Sequence, residues 1–230
     1  MEQFAEGEIP RVTLQGPYTY AQTTIKEGIT FSSEGTIRFT AKDQYVFMPE
    51  LSNGTESDNV TVEVSKWIPV SPYVGIITNG NTSFGENFTI NDGVSDIEKL
   101  GKVVAYNDEV SLNIWRTEQA NQINGSDGSL FPPFRKEGVT EYVFSGDICR
   151  SLEFESRGID YVHGVPTINF QLSEKVLLSA DANPANRGFC VDYPKCPKSG
   201  VLDMSTCKPN TPIVMSLPHF NQVFRFPKVH

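Results

Sequence analysis

Short apolar runs that alternate with polar residues, each cut off by a turn signal, set the strongest limit on how this chain folds. Val60, Val62 and Val64 are separated by Thr61 and Glu63, a period of two. Tyr18 and Tyr20 flank Thr19, and Ile37 and Phe39 flank Arg38. Similar runs occupy 45–48, 74–77, 103–106, 112–115, 141–144, 167–170 and 212–217. Turn signals divide them: Gly16-Pro17, Ser52-Asn53-Gly54, Asn79-Gly80, Asn91-Asp92-Gly93, Asn124-Gly125 and Asn183-Pro184. Helical periodicity is poor. Two short helices are expected, one over 95–100 with Ser95 as N-cap and Glu98 three residues later, and one after Ser145 in SGDICRSL. The pattern predicts a mainly β, antiparallel domain with short helices, a barrel or a sandwich. With 38% apolar and 20% charged residues, the chain can build a core and does not read as disordered.

Three of the four cysteines, Cys190, Cys196 and Cys207, lie within eighteen positions, and Cys149 sits upstream. An even count allows three pairings. Zinc would favour Cys-x-x-Cys spacing with histidine nearby, and neither His163 nor His219 follows such a spacing. Structural disulfides are therefore expected, and no metal. Five Asn-x-Ser/Thr sequons, at Asn53, Asn59, Asn81, Asn87 and Asn124, read as glycan acceptors. Cysteines and sequons together point to an oxidising, secretory compartment. Yet no run reaches the roughly 18 apolar residues of a membrane span. The start, MEQFAEGEIPRV, also lacks the basic and apolar regions of a signal peptide. The expectation is a piece of a larger secreted or membrane-anchored protein.

The net charge of −9 argues against nucleic acid, whose phosphates need clustered Lys and Arg. Catalytic patterns are absent: no Gly-x-Ser-x-Gly, no His-Glu-x-x-His and no glycine-rich phosphate loop. Glu153 and Glu155 alternate with apolar residues and read as the solvated face of a strand, not as an acid–base pair. His219 reads as a core or rim histidine, and the FPPF run at 131–134 as a chain corner. No enzyme activity and no cofactor are expected.

GPYTY (16–20), GTESDNVTV (54–62), INGSDGSLFPPF (123–134), DICRSL (147–152) and SGVLDMSTCKPNTPIVMSLPHF (199–220) occur in this order. Together they resemble the ectodomain of the class B scavenger receptors, the family of fatty-acid translocase, the lysosomal integral membrane proteins and the sensory neuron membrane proteins. The resemblance implies a large antiparallel β-barrel-like ectodomain with short helices, held outside the cell or in the lysosomal lumen between two spans. It also implies an apolar barrel cavity that carries sterol, fatty acid or phospholipid, although sequence does not say which residues line it.

Carried over from the family, the disulfides are Cys149–Cys207 and Cys190–Cys196. A further bridge of fatty-acid translocase would fall around Gln119 and at Gly188, neither of which is cysteine here. That and the short loop after NRGFC place the chain nearest the lysosomal branch. The family's apical helical bundle, where a luminal hydrolase or lipoproteins dock, has no counterpart near 62–74. C-terminal barrel strands and both membrane spans are also unmatched. The chain thus reads as one partial luminal or extracellular domain over 1–230. The leading function is non-enzymatic lipid uptake or transfer. The second is a protein-sorting or lipoprotein-binding receptor that acts through its surface, for which three histidines and no apex imply little pH dependence.

Overall fold

The computed structural model describes residues 19–53, 85–208 and 214–217. The fold is mainly β, and its sheets are antiparallel. Strands β1 (Tyr20–Phe31), β2 (Thr36–Phe47), β3 (Glu86–Asn91) and β4 (Val103–Tyr106) form one sheet in chain order. A second sheet comprises β5 (Thr140–Ser145), β6 (Arg150–Val162) and β7 (Val165–Leu172). Strands β8 (Val201–Asp203) and β9 (Val214–Ser216) pair as a small ribbon. Among the described residues the strands form no closed barrel.

Alternation places one face of the first sheet in the core. The register sets Ile37 opposite Ile90, Phe39 opposite Phe88, and Phe88 opposite Tyr106. Phe144 of β5 closes on this face from the second sheet, its ring edge-on to Tyr106 at 4.9 Å and to Phe88 at 6.5 Å. Such tilted aromatic pairs add about 0.5–1.5 kcal/mol each beyond the area they bury. Lys26 of β1 ties this sheet to a distant loop. Its ammonium lies over the Phe39 ring, 4.3 Å from the centroid, and donates to Asp127 Oδ2 at 2.6 Å.

Gly125 and Ser126 stitch the two sheets together. The Gly125 carbonyl accepts from Val103 N–H at 2.8 Å. Ser126 N–H donates to the Tyr142 carbonyl at 3.1 Å, and its own carbonyl accepts from Phe144 N–H at 2.8 Å. The Asn124-Gly125 pair is therefore a seam between β4 and β5, and glycine is needed in it. Gly125 has φ +88°, and a Cβ there would stand 1.9 Å from the Tyr142 carbonyl oxygen.

Several local expectations change. The segment after Ser145 is a tight hairpin turn, not a helix. Ser145 pairs with Arg150, and Cys149 N–H donates back to the Gly146 carbonyl. The helix expected over 95–100 shrinks to a 3₁₀ turn, Ile97–Lys99, whose N-cap is Asp96 and not Ser95; Asp96 Oδ1 accepts from Glu98 N–H at 3.1 Å. The run at 112–115 is no strand, because Asn121 captures its backbone. Asn121 Oδ1 accepts from Ile114 and Trp115 N–H groups, while Nδ2 donates to the Trp115 and Thr117 carbonyls. Asn121 ends a four-residue helix, Glu118–Asn121, capped by Thr117. His163 and Gly164, at φ 51° and 80°, make the two-residue β6–β7 turn.

Two predictions follow from this packing. Gly125→Ala should cost about 2–4 kcal/mol through left-handed strain and the carbonyl clash; an unchanged chemical-denaturation midpoint would contradict the seam. Glu86 concerns pH. Its carboxylate accepts from the Tyr106 hydroxyl at 2.8 Å, and burial raises its pKa against that hydrogen bond, with Asp147 adding to the rise. A raised carboxyl favours the protonated fold, so this contribution is present below the ordinary Glu value and lost as pH rises through the raised one. Glu86→Gln should melt no lower than the parent at pH 7, with any advantage shrinking on acidification. A gap that widens as pH falls would refute this.

Candidate functional site

A groove of about 880 Å³, open to solvent, lies between the β5–β6 face and the segment 174–189. Its floor is Arg150, the first residue of β6 and only 5% exposed. Two neighbours hold the guanidinium. It lies over the Phe189 ring, 3.7 Å from the centroid, and Nη2 donates to Asn186 Oδ1 at 2.9 Å. Asn186 is itself anchored, its Nδ2 donating to the carbonyls of Lys175, Val176 and Leu178 at 2.9, 3.3 and 2.7 Å. Asn186 and Phe189 belong to a 3₁₀ segment, Pro184–Phe189, capped by Asn183, whose side chain accepts from Ala185 N–H. Burial pushes the Arg150 pKa down to about 10, which leaves it charged at neutral and mildly acidic pH.

The other charges of the groove are matched, with one exception. Arg135 pairs through Nη1 with Glu98 at 2.9 Å and through Nε with Glu141 at 2.7 Å. Lys175 bridges Glu153 at 3.6 Å and Glu155 at 3.3 Å. Glu153 also accepts from the Tyr142 hydroxyl, and Glu155 from the Ser173 hydroxyl. Glu153 and Glu155 are therefore half-buried acceptors that fix Lys175. Among the described residues, no carboxylate pairs with Arg150 or with Lys102 at the rim. The lining thus carries four cations and two carboxylates in a chain of net charge −9.

The cysteines frame the floor. Cys149 is bonded to Cys207, Cα–Cα 5.6 Å, which ties the β5–β6 turn to the segment after β8. Cys190 is bonded to Cys196, Cα–Cα 5.2 Å, directly after Phe189. Trp115 donates through Nε1 to the Cys149 carbonyl at 2.6 Å and meets Phe189 edge-on at 5.2 Å. With Ala120, Leu202 and Met204 it forms a second core.

Of the sequon residues, Asn124 sits exposed on the groove rim, its N–H donating to Ser151 Oγ. Asn53 is exposed in a bend. Asn87 is half-buried on β3, its Oδ1 accepting from the Thr40 hydroxyl at 2.7 Å. Asn59, Asn81 and His219 lie outside the described residues. Among the described residues, no group of three or more His, Cys, Asp or Glu side chains could hold a metal, and no helix is long and apolar enough to cross a membrane. Sequence reasoning did not single out Arg150, Asn186 or Phe189. The one available signal was an arginine directly after a cysteine at the start of an apolar run.

The described residues form a disulfide-stapled, mainly antiparallel β architecture with an open, cation-rich groove. The sequence profile of the CD36 family matches residues 1–65 and 62–223, and the chain belongs to that family. It is 28% identical to lysosome membrane protein 2 of Homo sapiens, an alignment covering 96% of this chain and 57% of that protein. It is 25% identical to scavenger receptor class B member 1 of Sus scrofa, covering 95% and 53%. The chain therefore spans about half the length of the curated relatives it matches. These alignments run over 275 positions against 230 residues, so the relatives carry at least 45 positions that this chain lacks within the matched region. The relatives it matches are thus a lysosome membrane protein and a class B scavenger receptor.

The two bridges close loops of different size, with sequence separations of 58 and 6. In the chain-entropy description, losing Cys149–Cys207 by paired serine substitution should cost about 4 kcal/mol and losing Cys190–Cys196 about 2 kcal/mol. Thermal melts of the two double variants should keep that order, and the reverse order would contradict it.

Proposed function

We propose that this chain is the lipid-binding ectodomain of a non-enzymatic scavenger receptor, taking up or transferring sterol, fatty acid or phospholipid. The family match across residues 1–65 and 62–223 carries the reading. Two features of the surface support it. The long hairpins expose large apolar side chains: Ile25, Ile29 and Phe31 on β1, and Ile159, Tyr161, Val162 and Val165 at the β6–β7 end. The groove is of a size that suits a small amphiphile. We further propose one luminal or extracellular domain with N-linked glycans at Asn53, Asn59, Asn81, Asn87 and Asn124, and a shortened apex near 62–74. The split in the family match at 62–65 and the unmatched positions of the relatives support the shortening. Docking of a lipoprotein or a luminal hydrolase belongs to the longer parent in this reading. Carriage of each methylene in an apolar environment is worth about 0.8 kcal/mol, so transfer needs apolar contact rather than chemistry.

The test is lipid extraction of the glycosylated chain from secretory expression, followed by mass spectrometry, with displacement of a fluorescent sterol and a fluorescent fatty acid. Co-purifying lipid and saturable displacement are expected. No lipid and no displacement would overturn the reading.

A further inference from the structure

We propose that the tip of the β6–β7 hairpin, residues 161–166, is a wedge that docks the chain on an electrically neutral, phosphatidylcholine-type membrane surface. This goes beyond lipid carriage and does not rest on it, because the occupant is a bilayer and not a single lipid held by the protein. The hairpin is an arm. The pairing of β5 with β6 ends at Thr140 and Glu155, with one more bond from Ser156 N–H to the Val139 carbonyl. Among the described residues, β6 and β7 then run on as a two-stranded ribbon to Val162 and Val165. Residues 157–162 therefore project by roughly 20 Å, at about 3.4 Å per residue. The register breaks between Ser156 and Ile159, where Gly158 has φ +113°, and such a bulge bends a strand away from its sheet. Beyond it, every residue from Ile159 to Pro166 is exposed.

Both faces of the arm end in apolar side chains. Tyr161 pairs with Pro166 on one face, and Val162 pairs with Val165 on the other. Tyr161, Val162 and Val165 are 69%, 54% and 60% exposed. A strand added at the β7 edge would cover an edge, and a packed sheet would cover one face. A bilayer surrounds the tip and covers both. Area and charge agree with that occupant. The tip offers on the order of 400 Å², well short of the about 800 Å² per partner of a standard dimer. Between positions 158 and 172 the one formally charged residue is Asp160, so the arm carries no basic patch for anionic lipid. A net charge of −9 opposes an anionic surface as well, and a zwitterionic one meets neither objection. Polar groups set the depth. Asp160 lies roughly 10 Å along the strand from His163 at the apex, and its carboxylate accepts from Tyr161 N–H at 2.7 Å. A tip resting about 5–10 Å into the headgroup layer leaves Asp160 at the water side and puts Tyr161 at the level that tyrosine favours. His163, polar and at the apex, keeps the wedge out of the hydrocarbon.

The experiment is co-flotation of the glycosylated chain, from secretory expression, with phosphatidylcholine vesicles. Flotation is expected, and to the same extent at low salt and at about 1 M salt, because the contact is apolar. Val162→Asp combined with Val165→Asp should weaken partitioning at least about tenfold, since two carboxylates replace apolar groups that the surface covers. Tyr161→Trp should add an indole whose emission is quenched, beyond the parent's own signal, by vesicles brominated near the top of the acyl chain. No flotation of the parent, or flotation that the double substitution leaves unchanged, would overturn the wedge. Flotation lost at high salt would overturn it too, by placing binding on charged groups elsewhere. A parent dimer in sedimentation that the double substitution dissolves, without flotation, would make the tip a contact between copies of this chain and not a membrane wedge. If the double variant does not fold, the indole decides: no added quenching refutes the proposal.

Discussion

The backbone exchange through Gly125 and Ser126 is the constraint on which the rest of the molecule depends. Without it the four-stranded and three-stranded sheets would be separate ribbons, each too thin to bury an aromatic face. With it, Phe144 is delivered onto Phe88 and Tyr106, and one core serves both sheets. The same seam sets the rim of the groove. Lys102 immediately precedes β4 and bridges to Ser126, while Asn124 leads into the seam from the other side. A cation and a sequon thus reach the groove mouth because of a hydrogen-bond register. No binding requirement has to be invoked to explain their position there.

The floor is built on a different principle. A loop-rich segment with 3₁₀ turns has few long-range backbone bonds of its own, so side chains and sulfur take over. Asn186 gathers three carbonyls around 175–178, and Cys190–Cys196 closes the chain directly after Phe189. Cys149–Cys207 fixes the turn from which Arg150 emerges. Each element that touches the guanidinium is held by something that does not need the guanidinium. The guanidinium is therefore fixed in place by its surroundings.

Much of the strand pattern was legible in the sequence, because alternation with a buried face leaves a period of two. The expected run at 103–106 coincides with β4, and those at 141–144 and 167–170 fall within β5 and β7. The failures share a cause. Around 112–115 and after Ser145 the backbone answers to a side chain or a turn distant from the local pattern: Asn121 in the first case, the pairing of Ser145 with Arg150 in the second. Ser95 yielded to Asp96 as a cap because both are good caps and only geometry chooses. The groove was the least legible part. In CRSLEF, Arg150 reads as one more polar residue in an alternating strand. Its burial depends on Phe189 and Asn186, nearly forty positions away, where no periodic signal exists. Family motifs carried the architecture further than patterning did: a mainly β, antiparallel ectodomain, partial in this chain, was expected, and among the described residues its sheets are antiparallel and form no closed barrel.

Asp127 and Glu86 are placed to respond to acid in opposite senses. Burial alone would raise the pKa of Asp127, but hydrogen bonds from Lys26 and from the Ser129 hydroxyl and N–H overcome it and hold the carboxyl below its ordinary value. Its stabilisation is complete above the ordinary Asp value, about 3.9, and fades only as pH falls through the lowered one. Glu86 acts in the opposite sense, favouring the fold as it gains a proton. Acidification therefore spares the first down to the ordinary Asp range and favours the second. Arg150 does not respond over that range, since its pKa stays near 10 even when buried. The Arg150 charge at the groove floor is therefore constant while those two carboxyls titrate.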